Sequence, residues 1–144
     1  MSTPPTTFTV HARSTGETAE VVAADETVAF DARWGAEPAG LPGPADLLGS
    51  AFAACLLKNL ERSRAMLSFS YDRAEVRVVV HRQDAPPRFT EISYELRIAT
   101  DEPERRVGLV HRNLQKYGTV YNTLAAVCDV HGEVIAIPAA LRGT

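Results

Sequence analysis

The chain has 144 residues, 45% of them hydrophobic, and a formal net charge of −3. This length fits one globular domain, so we expect a single domain over residues 1–144, with a flexible N-terminus at residues 1–6. The acidic balance and the scattered lysines and arginines provide no basic surface for nucleic acid. The longest apolar run is far shorter than the roughly 20 residues of a membrane-spanning helix, so we expect no membrane partner.

The first third of the chain is typical of a small sheet followed by a loop. Tight-turn residues in "STGE" and "ADE" separate three short strands, predicted over Thr7–Arg13, Glu17–Ala23 and Glu26–Arg33. The segment Trp34–Pro44 is rich in proline and glycine and is predicted to be a loop. Helix-forming residues then extend from Ala45 to about Met66, which predicts the longest helix of the chain.

Strict alternation of apolar and polar residues predicts two long strands after this helix. They lie in "YDRAEVRVVVHR" and "TEISYELRIAT", and the intervening "QDAPPR" supplies a turn, so we expect an antiparallel hairpin. An amphipathic helix is predicted next, ending at Gly118, followed by a short helix capped by Thr119 and a last strand over Val130–Ile137. The order β-β-β-α-β-β-α-α-β predicts an α+β fold with helices packed on antiparallel sheet.

The long central helix is apolar around nearly its whole circumference. A surface helix would keep one polar face, and one small sheet covers only one side of a helix. We therefore predict burial against a second subunit in a homodimer. The apolar residues that surround the helix are Leu47, Leu48, Ala51, Phe52, Ala53, Ala54, Leu56 and Leu57.

Five segments in this order resemble the OsmC/Ohr family of peroxide-detoxifying proteins. They are a Pro/Gly loop, "PADLL", "AFAAC", "PPRFTEI" and "KYGTVYNTL", and the resemblance extends from about residue 8 to residue 137. It implies an intertwined homodimer in which antiparallel sheets from both subunits wrap around the long central helices. It also implies that Cys55 is a peroxidatic thiol in the response to oxidative stress, which attacks an organic hydroperoxide and becomes a sulfenic acid.

The resemblance further implies an arginine, held by a carboxylate, that activates the thiol. A free cysteine is mostly protonated at neutral pH, and an apolar surrounding disfavours the reactive anion. The arginine comes from the N-terminal strands in the family, so Arg13 or Arg33 is the candidate here. The family's glutamate position holds Ala45 in this chain, which leaves the adjacent Asp46 as a possible brace one helical step away.

The family's second cysteine, which condenses with the first, is replaced by Gly118. A glycine cannot resolve a sulfenic acid. Cys128 is a possible replacement, provided that its Cα lies within roughly 7 Å of that of Cys55, and an external thiol reductant is the other possibility. Alternatively, Cys128 is a small buried core residue. With two cysteines in all, we expect reduced thiols in a cytoplasmic protein.

No cofactor or metal is expected from the sequence. The four histidines His11, His81, His111 and His131 lie on separate elements and lack paired ligand spacing. Two functions therefore stay open. One is thiol-dependent reduction of organic hydroperoxides by Cys55. The alternative is a peroxidase-deficient family member, in keeping with Gly118 and Ala45, that binds a small apolar ligand at the dimer interface.

Overall fold

A computed structural model describes residues 6–139, so the expected flexible N-terminus at 1–6 lies outside the described residues apart from residue 6. The chain divides after Leu47 into two compact units, and the single domain predicted from the length stays a prediction. All nine predicted elements are present. They are β1 (Val10–Ser14), β2 (Ala19–Ala23), β3 (Glu26–Phe30), α1 (Pro44–Leu67), β4 (Arg73–Asp84), β5 (Pro87–Ala99), α2 (Glu104–Tyr117), α3 (Thr119–Ala125) and β6 (Asp129–Ile137).

The first unit contains a three-stranded antiparallel sheet in the order β1-β2-β3. The β1–β2 turn needs the left-handed backbone of Gly16, whose φ is +95°, and the Ser14 hydroxyl accepts the Gly16 N–H at 3.0 Å. Among the strand residues of this sheet only Ala19 is buried. Several large apolar side chains of the unit are exposed to solvent: Phe8, Val10, Val28, Trp34 and Leu41.

Helix α1 begins at Pro44, where a missing backbone N–H costs nothing. Asp46 stabilises the N-terminus of the helix, because its carboxylate accepts a hydrogen bond from the Gly43 N–H at 2.9 Å. The residues that α1 buries form a single stripe: Phe52, Leu56, Leu60 and Ser63. No helix among residues 6–139 combines the length and the apolar character needed to cross a bilayer.

The second sheet has the strand order β4-β5-β6. The predicted hairpin is confirmed, because β4 and β5 pair antiparallel and place apolar partners opposite one another, such as Val76 against Leu96 and Val78 against Tyr94. β6 instead runs parallel to β5, so this sheet is mixed. A parallel pair requires a long crossover, and α2 and α3 supply it.

Gly118 separates α2 from α3. Its backbone is extended, with φ −73° and ψ 115°, and its N–H donates to the Leu114 carbonyl at 3.2 Å. The predicted cap at Thr119 is wrong, since Gly118 is the residue that precedes α3 and its carbonyl accepts the Asn122 N–H at 2.8 Å. Gly118 therefore serves as the end of one helix and the start of the next.

Candidate functional site

Cys55 lies in the middle of α1 on the border of the buried stripe and is half-buried. One turn further along the helix, the Asn59 side-chain amide donates to the Cys55 carbonyl at 2.9 Å and to the Cys55 Sγ at 3.6 Å. The hydrogen bond to the carbonyl holds the Asn59 amide next to the Cys55 sulfur. A sulfur that accepts a hydrogen bond is helped to carry negative charge, so Asn59 provides one neutral element of thiol activation.

Gly118 faces the sulfur from the junction of α2 and α3. A Cβ added to Gly118 would lie 3.2 Å from the Cys55 Sγ, and 2.9 Å from both the Leu114 carbonyl oxygen and the Tyr121 Cβ. Residue 118 is therefore a direct spatial neighbour of Cys55. The same distances explain the glycine, because any side chain here would press on the backbone of α2 and on the ring-bearing carbon of Tyr121.

Aromatic rings form the floor beneath this part of α1. Phe52, one turn before Cys55, packs on Tyr94 and Tyr121 with ring centroids 5.7 and 5.5 Å away. The Tyr94 hydroxyl shares hydrogen bonds with the Tyr121 hydroxyl at 3.2 Å and with His111 Nε2 at 2.7 Å. Burial raises the pKa of Tyr94 well above 10 and lowers the pKa of His111 below 6.5, so burial favours the neutral form of both side chains.

Arg62 places a positive charge on the same side of α1. It follows Asn59 by three residues and Cys55 by seven, which places it two turns or about 10 Å beyond the cysteine along the helix. Its guanidinium lies 4.1 Å from the centre of the Tyr117 ring and donates to the Asn113 Oδ1 at 3.2 Å. Arg62 was not among the arginines expected from the family resemblance, which come from the N-terminal strands, although its helical spacing from Asn59 was a usable signal in the sequence.

Comparison with known proteins identifies the family to which this chain belongs. The model of the family described as OsmC-like protein matches residues 37–131, which is more than half of the chain. This chain belongs to the OsmC family. A search of curated protein sequences gives no match.

Solved structures of OsmC proteins share the fold. The chain is 18% identical to an OsmC-like protein from Mycoplasma pneumoniae, with 91% of this chain and 97% of the other covered and a TM-score of 0.80. It is 16% identical to an organic hydroperoxide resistance protein OsmC from Legionella pneumophila, with coverages of 92% and 99% and a TM-score of 0.73. It is 20% identical to the organic hydroperoxide resistance protein OhrB of Bacillus subtilis, with coverages of 89% and 97% and a TM-score of 0.63. At these identities the likeness establishes the fold.

The two arginines expected from the OsmC resemblance both have carboxylate partners. Arg13 on β1 forms an ion pair with Glu20, its register partner on β2. Arg33 donates to both carboxylate oxygens of Asp31, at 3.0 and 2.9 Å, and these bonds lower the pKa of Asp31 to about 2. Each guanidinium is thus paired with an acidic side chain. The assignment of either arginine to Cys55 stays a prediction.

Asp46 and Cys128 also have local roles in this OsmC chain. Asp46 caps α1 through Gly43, and its service as a brace for an arginine stays a prediction. Cys128 lies between α3 and β6, half-buried, and donates its S–H to the Phe89 carbonyl oxygen at 3.4 Å. Both cysteines are free thiols, so a resolving role for Cys128 is likewise still a prediction.

The histidines of this OsmC chain are less scattered in space than in sequence. His111 joins the tyrosine network, whereas His81 and His131 both contact Glu91 on the outer face of the second sheet. The sequence analysis missed this grouping because it depends on the register of three strands. The hairpin turn at "QDAPPR" was the available signal, since it sets His81 opposite Glu91.

Proposed function

We propose that this OsmC-family protein reduces organic hydroperoxides with Cys55 as the nucleophile, in a cytoplasmic response to oxidative stress. Three observations support the proposal. Cys55 occupies the position of the reactive cysteine in the resemblance, two proteins of the same fold are named organic hydroperoxide resistance proteins, and the described chain has no helix suited to a membrane. The observation that carries the proposal is the Cys55 sulfur itself, free, half-buried and receiving a hydrogen bond from Asn59.

The first step is an attack of the Cys55 thiolate on the outer oxygen of ROOH. An S–O bond forms, the O–O bond breaks, and the alkoxide takes up the proton released by the thiol, so that the products are the sulfenic acid and ROH. A cation near the sulfur would stabilise the thiolate and the departing oxygen. We assign this task to Arg13 or Arg33, each held by an acidic partner, with Asp46 as the remaining candidate for a brace.

The second step needs a thiol from elsewhere, since Gly118 has none. An external thiol attacks the sulfenic acid and releases water, which leaves a mixed disulfide on Cys55. A second equivalent of thiol then frees Cys55 and leaves as the oxidised disulfide. Cys128 is the alternative resolver within the chain. Its S–H already donates to a backbone carbonyl, so it would have to leave that bond to take part.

We also propose that the protein works as a homodimer. The first unit offers large apolar side chains to solvent, among them Phe8 at 80% and Trp34 at 99% exposure. Helix α1 leaves Ala51 and Ala54 exposed beside its buried stripe. A three-stranded sheet with so little buried surface requires a second layer, and apolar residues of this size mark contact surfaces.

A second candidate function follows from the same residues. Gly118 and Ala45 remove two groups of the family's peroxidase apparatus, which favours a protein that has lost the reaction and binds a small apolar molecule at the dimer interface. The aromatic floor of Phe52, Tyr94 and Tyr121 would suit such a ligand. Under this alternative, Cys55 is a packing residue.

Peroxide consumption separates the two functions. Wild type, Cys55→Ser and Cys128→Ser are mixed with cumene hydroperoxide and dithiothreitol, and the remaining peroxide is measured over time. We expect wild type and Cys128→Ser to consume peroxide at similar rates and Cys55→Ser to match the protein-free control. If all three variants are as slow as that control, the peroxidase is excluded and ligand binding is favoured.

A further inference from the structure

One end of the second sheet gathers two histidines and two carboxylates on its outer face, opposite the side that packs on the helices. His81 comes from β4, Glu91 from β5, and Asp129 and His131 from β6. The strand register sets His81 opposite Glu91 and Glu91 opposite Asp129. Three paired strands thus hold the four side chains, which limits their movement relative to one another.

The ligand-type atoms of this cluster converge on the Glu91 carboxylate. His131 Nε2 lies 2.8 Å from Glu91 Oε2, and His81 Nε2 lies 3.4 Å from Glu91 Oε1. One ligand atom each from Glu91, Asp129 and His131 all lie within 4.8 Å of one another. In a tetrahedral zinc site with bonds of about 2.0–2.2 Å, neighbouring ligand atoms are about 3.4 Å apart, a spacing close to that of the three atoms from Glu91, Asp129 and His131. His81 contacts Glu91 but lies outside this group of three.

The geometry points to a binding site for a divalent transition-metal ion, with Zn²⁺ as the ion that suits it best, held by Glu91, Asp129 and His131, with His81 beside Glu91 as the nearest source of a fourth ligand. Zinc, a borderline ion, accepts both imidazole nitrogens and carboxylate oxygens in tetrahedral arrangement. Calcium and magnesium prefer oxygen ligands alone, which the two imidazoles disfavour. The site lies on a different face of the sheet from the proposed peroxidase chemistry and does not depend on it.

The negative charge of the two carboxylates favours the binding of a cation by this cluster. Glu91 and Asp129 are register partners on the parallel strands β5 and β6, so two negative charges lie close together and repel each other. A divalent ion with two neutral imidazoles would balance both charges. The ion would also bridge β5 and β6, the parallel pair of this sheet. The histidine side chains are each 53% exposed, so the ion can enter directly from solution.

Zinc titration of the full chain without an affinity tag tests this proposal. Zinc sulfate is added in a calorimeter to wild type, Glu91→Gln, Asp129→Asn and His131→Gln, with His11→Gln as the matched control for an exposed histidine on another strand. We expect wild type and His11→Gln to bind one ion per chain. The three cluster variants should bind at least roughly tenfold more weakly, because each loses a direct ligand, and loss of even an outer-shell partner costs that much.

Cysteine is the competing zinc ligand, so the same titration is run on Cys55→Ser and Cys128→Ser. Unchanged binding by both supports the cluster. The proposal is overturned if wild type binds no zinc, if the cluster variants bind as tightly as wild type, or if a cysteine substitution removes the binding.

Discussion

The two cysteines lie in opposite hydrogen-bonding surroundings, although both are half-buried free thiols. The Cys55 sulfur accepts a hydrogen bond from the Asn59 amide, whereas the Cys128 sulfur donates one to the Phe89 carbonyl. A donated proton must stay on Cys128 for its bond to exist, but the bond at Cys55 persists and strengthens as the thiol loses its proton. Similar burial therefore does not mean similar reactivity, and we expect the region around Cys55 to be the reactive one.

The two regions should differ most in their contribution to stability. Phe52 is fully buried one turn from Cys55 and contacts two tyrosine rings, whereas Phe89, whose carbonyl accepts the hydrogen bond from Cys128, is half-buried. We expect Phe52→Ala to lower the free energy of unfolding by about 3–5 kcal/mol and Phe89→Ala to lower it clearly less. Urea unfolding of both variants measures the difference. Equal losses would show that the Cys55 region is no better packed than the Cys128 region.

A thiol placed at residue 118 should pair with Cys55 and leave Cys128 free. The Cβ position at Gly118 is 3.2 Å from the Cys55 Sγ, close to the about 3 Å between a Cβ and the far sulfur of a disulfide. After oxidation of Gly118→Cys, mass spectrometry of its peptides should therefore show a disulfide between residue 118 and Cys55 and a free thiol at Cys128. Gly118→Ala is the matched control, since it brings the same crowding without a sulfur. Loss of the Cys128 thiol, or retention of all three, would contradict the placement of residue 118.

The hydrogen bond from Asn59 to the Cys55 sulfur should affect the rate of peroxide reduction more than the stability of the fold. Asn59→Leu keeps the approximate volume and removes the donor, and loss of one hydrogen bond to a developing charge corresponds to roughly tenfold in rate. We expect the reaction of Cys55 with cumene hydroperoxide to slow by about that factor in stopped-flow measurements. Lys58→Leu, at the exposed neighbouring position, is the control and should react as wild type does. An unchanged rate in Asn59→Leu would remove this element of activation.

The pKa values of two histidines, His111 on the helix side of the second sheet and His131 on its outer face, should be shifted in opposite directions. This is the smallest of the expected effects. Burial lowers the pKa of His111 below 6.5, whereas the hydrogen bond to Glu91, aided by the charge of Asp129, raises the pKa of His131 above 6.5. His111 therefore costs stability as the pH falls below 6.5. The stabilisation from His131 is complete below 6.5 and is lost as the pH rises through its folded value. Ring-proton NMR titration with a chelator present should order the two values this way, and the reverse order would contradict it.

The elements of the fold were predictable from the sequence, but their spatial partners were predictable only in part. Alternation and turn residues marked β4 and β5, and their hairpin followed from the short connection. The parallel pairing of β6 could not be inferred, since alternation along a strand shows which face is buried and not which neighbour or direction it takes. The buried stripe of α1 was equally hidden, because a helix that is apolar on all sides does not indicate which side the sheet will cover.

The candidate site shows the same division. Cys55 and Gly118 were singled out by the family resemblance, and the structure adds that residue 118 lies against the sulfur. The Asn59 contact follows from helical spacing, yet only coordinates show the amide directed at Sγ. The cluster of His81, Glu91 and His131 depends on the register of three strands, of which the hairpin turn could indicate the His81–Glu91 pair but not the parallel partner β6.

Site-resolved oxidation distinguishes Cys55 from Cys128 as the nucleophile. Reduced wild-type protein is treated with one equivalent of cumene hydroperoxide in the presence of a sulfenic-acid trap, and the peptides containing each cysteine are quantified by mass spectrometry. We predict rapid trapping at Cys55 while Cys128 stays a free thiol. Trapping at Cys128 ahead of Cys55, or no trapping at either residue while the peroxide persists, would contradict the assignment of Cys55 as the nucleophile.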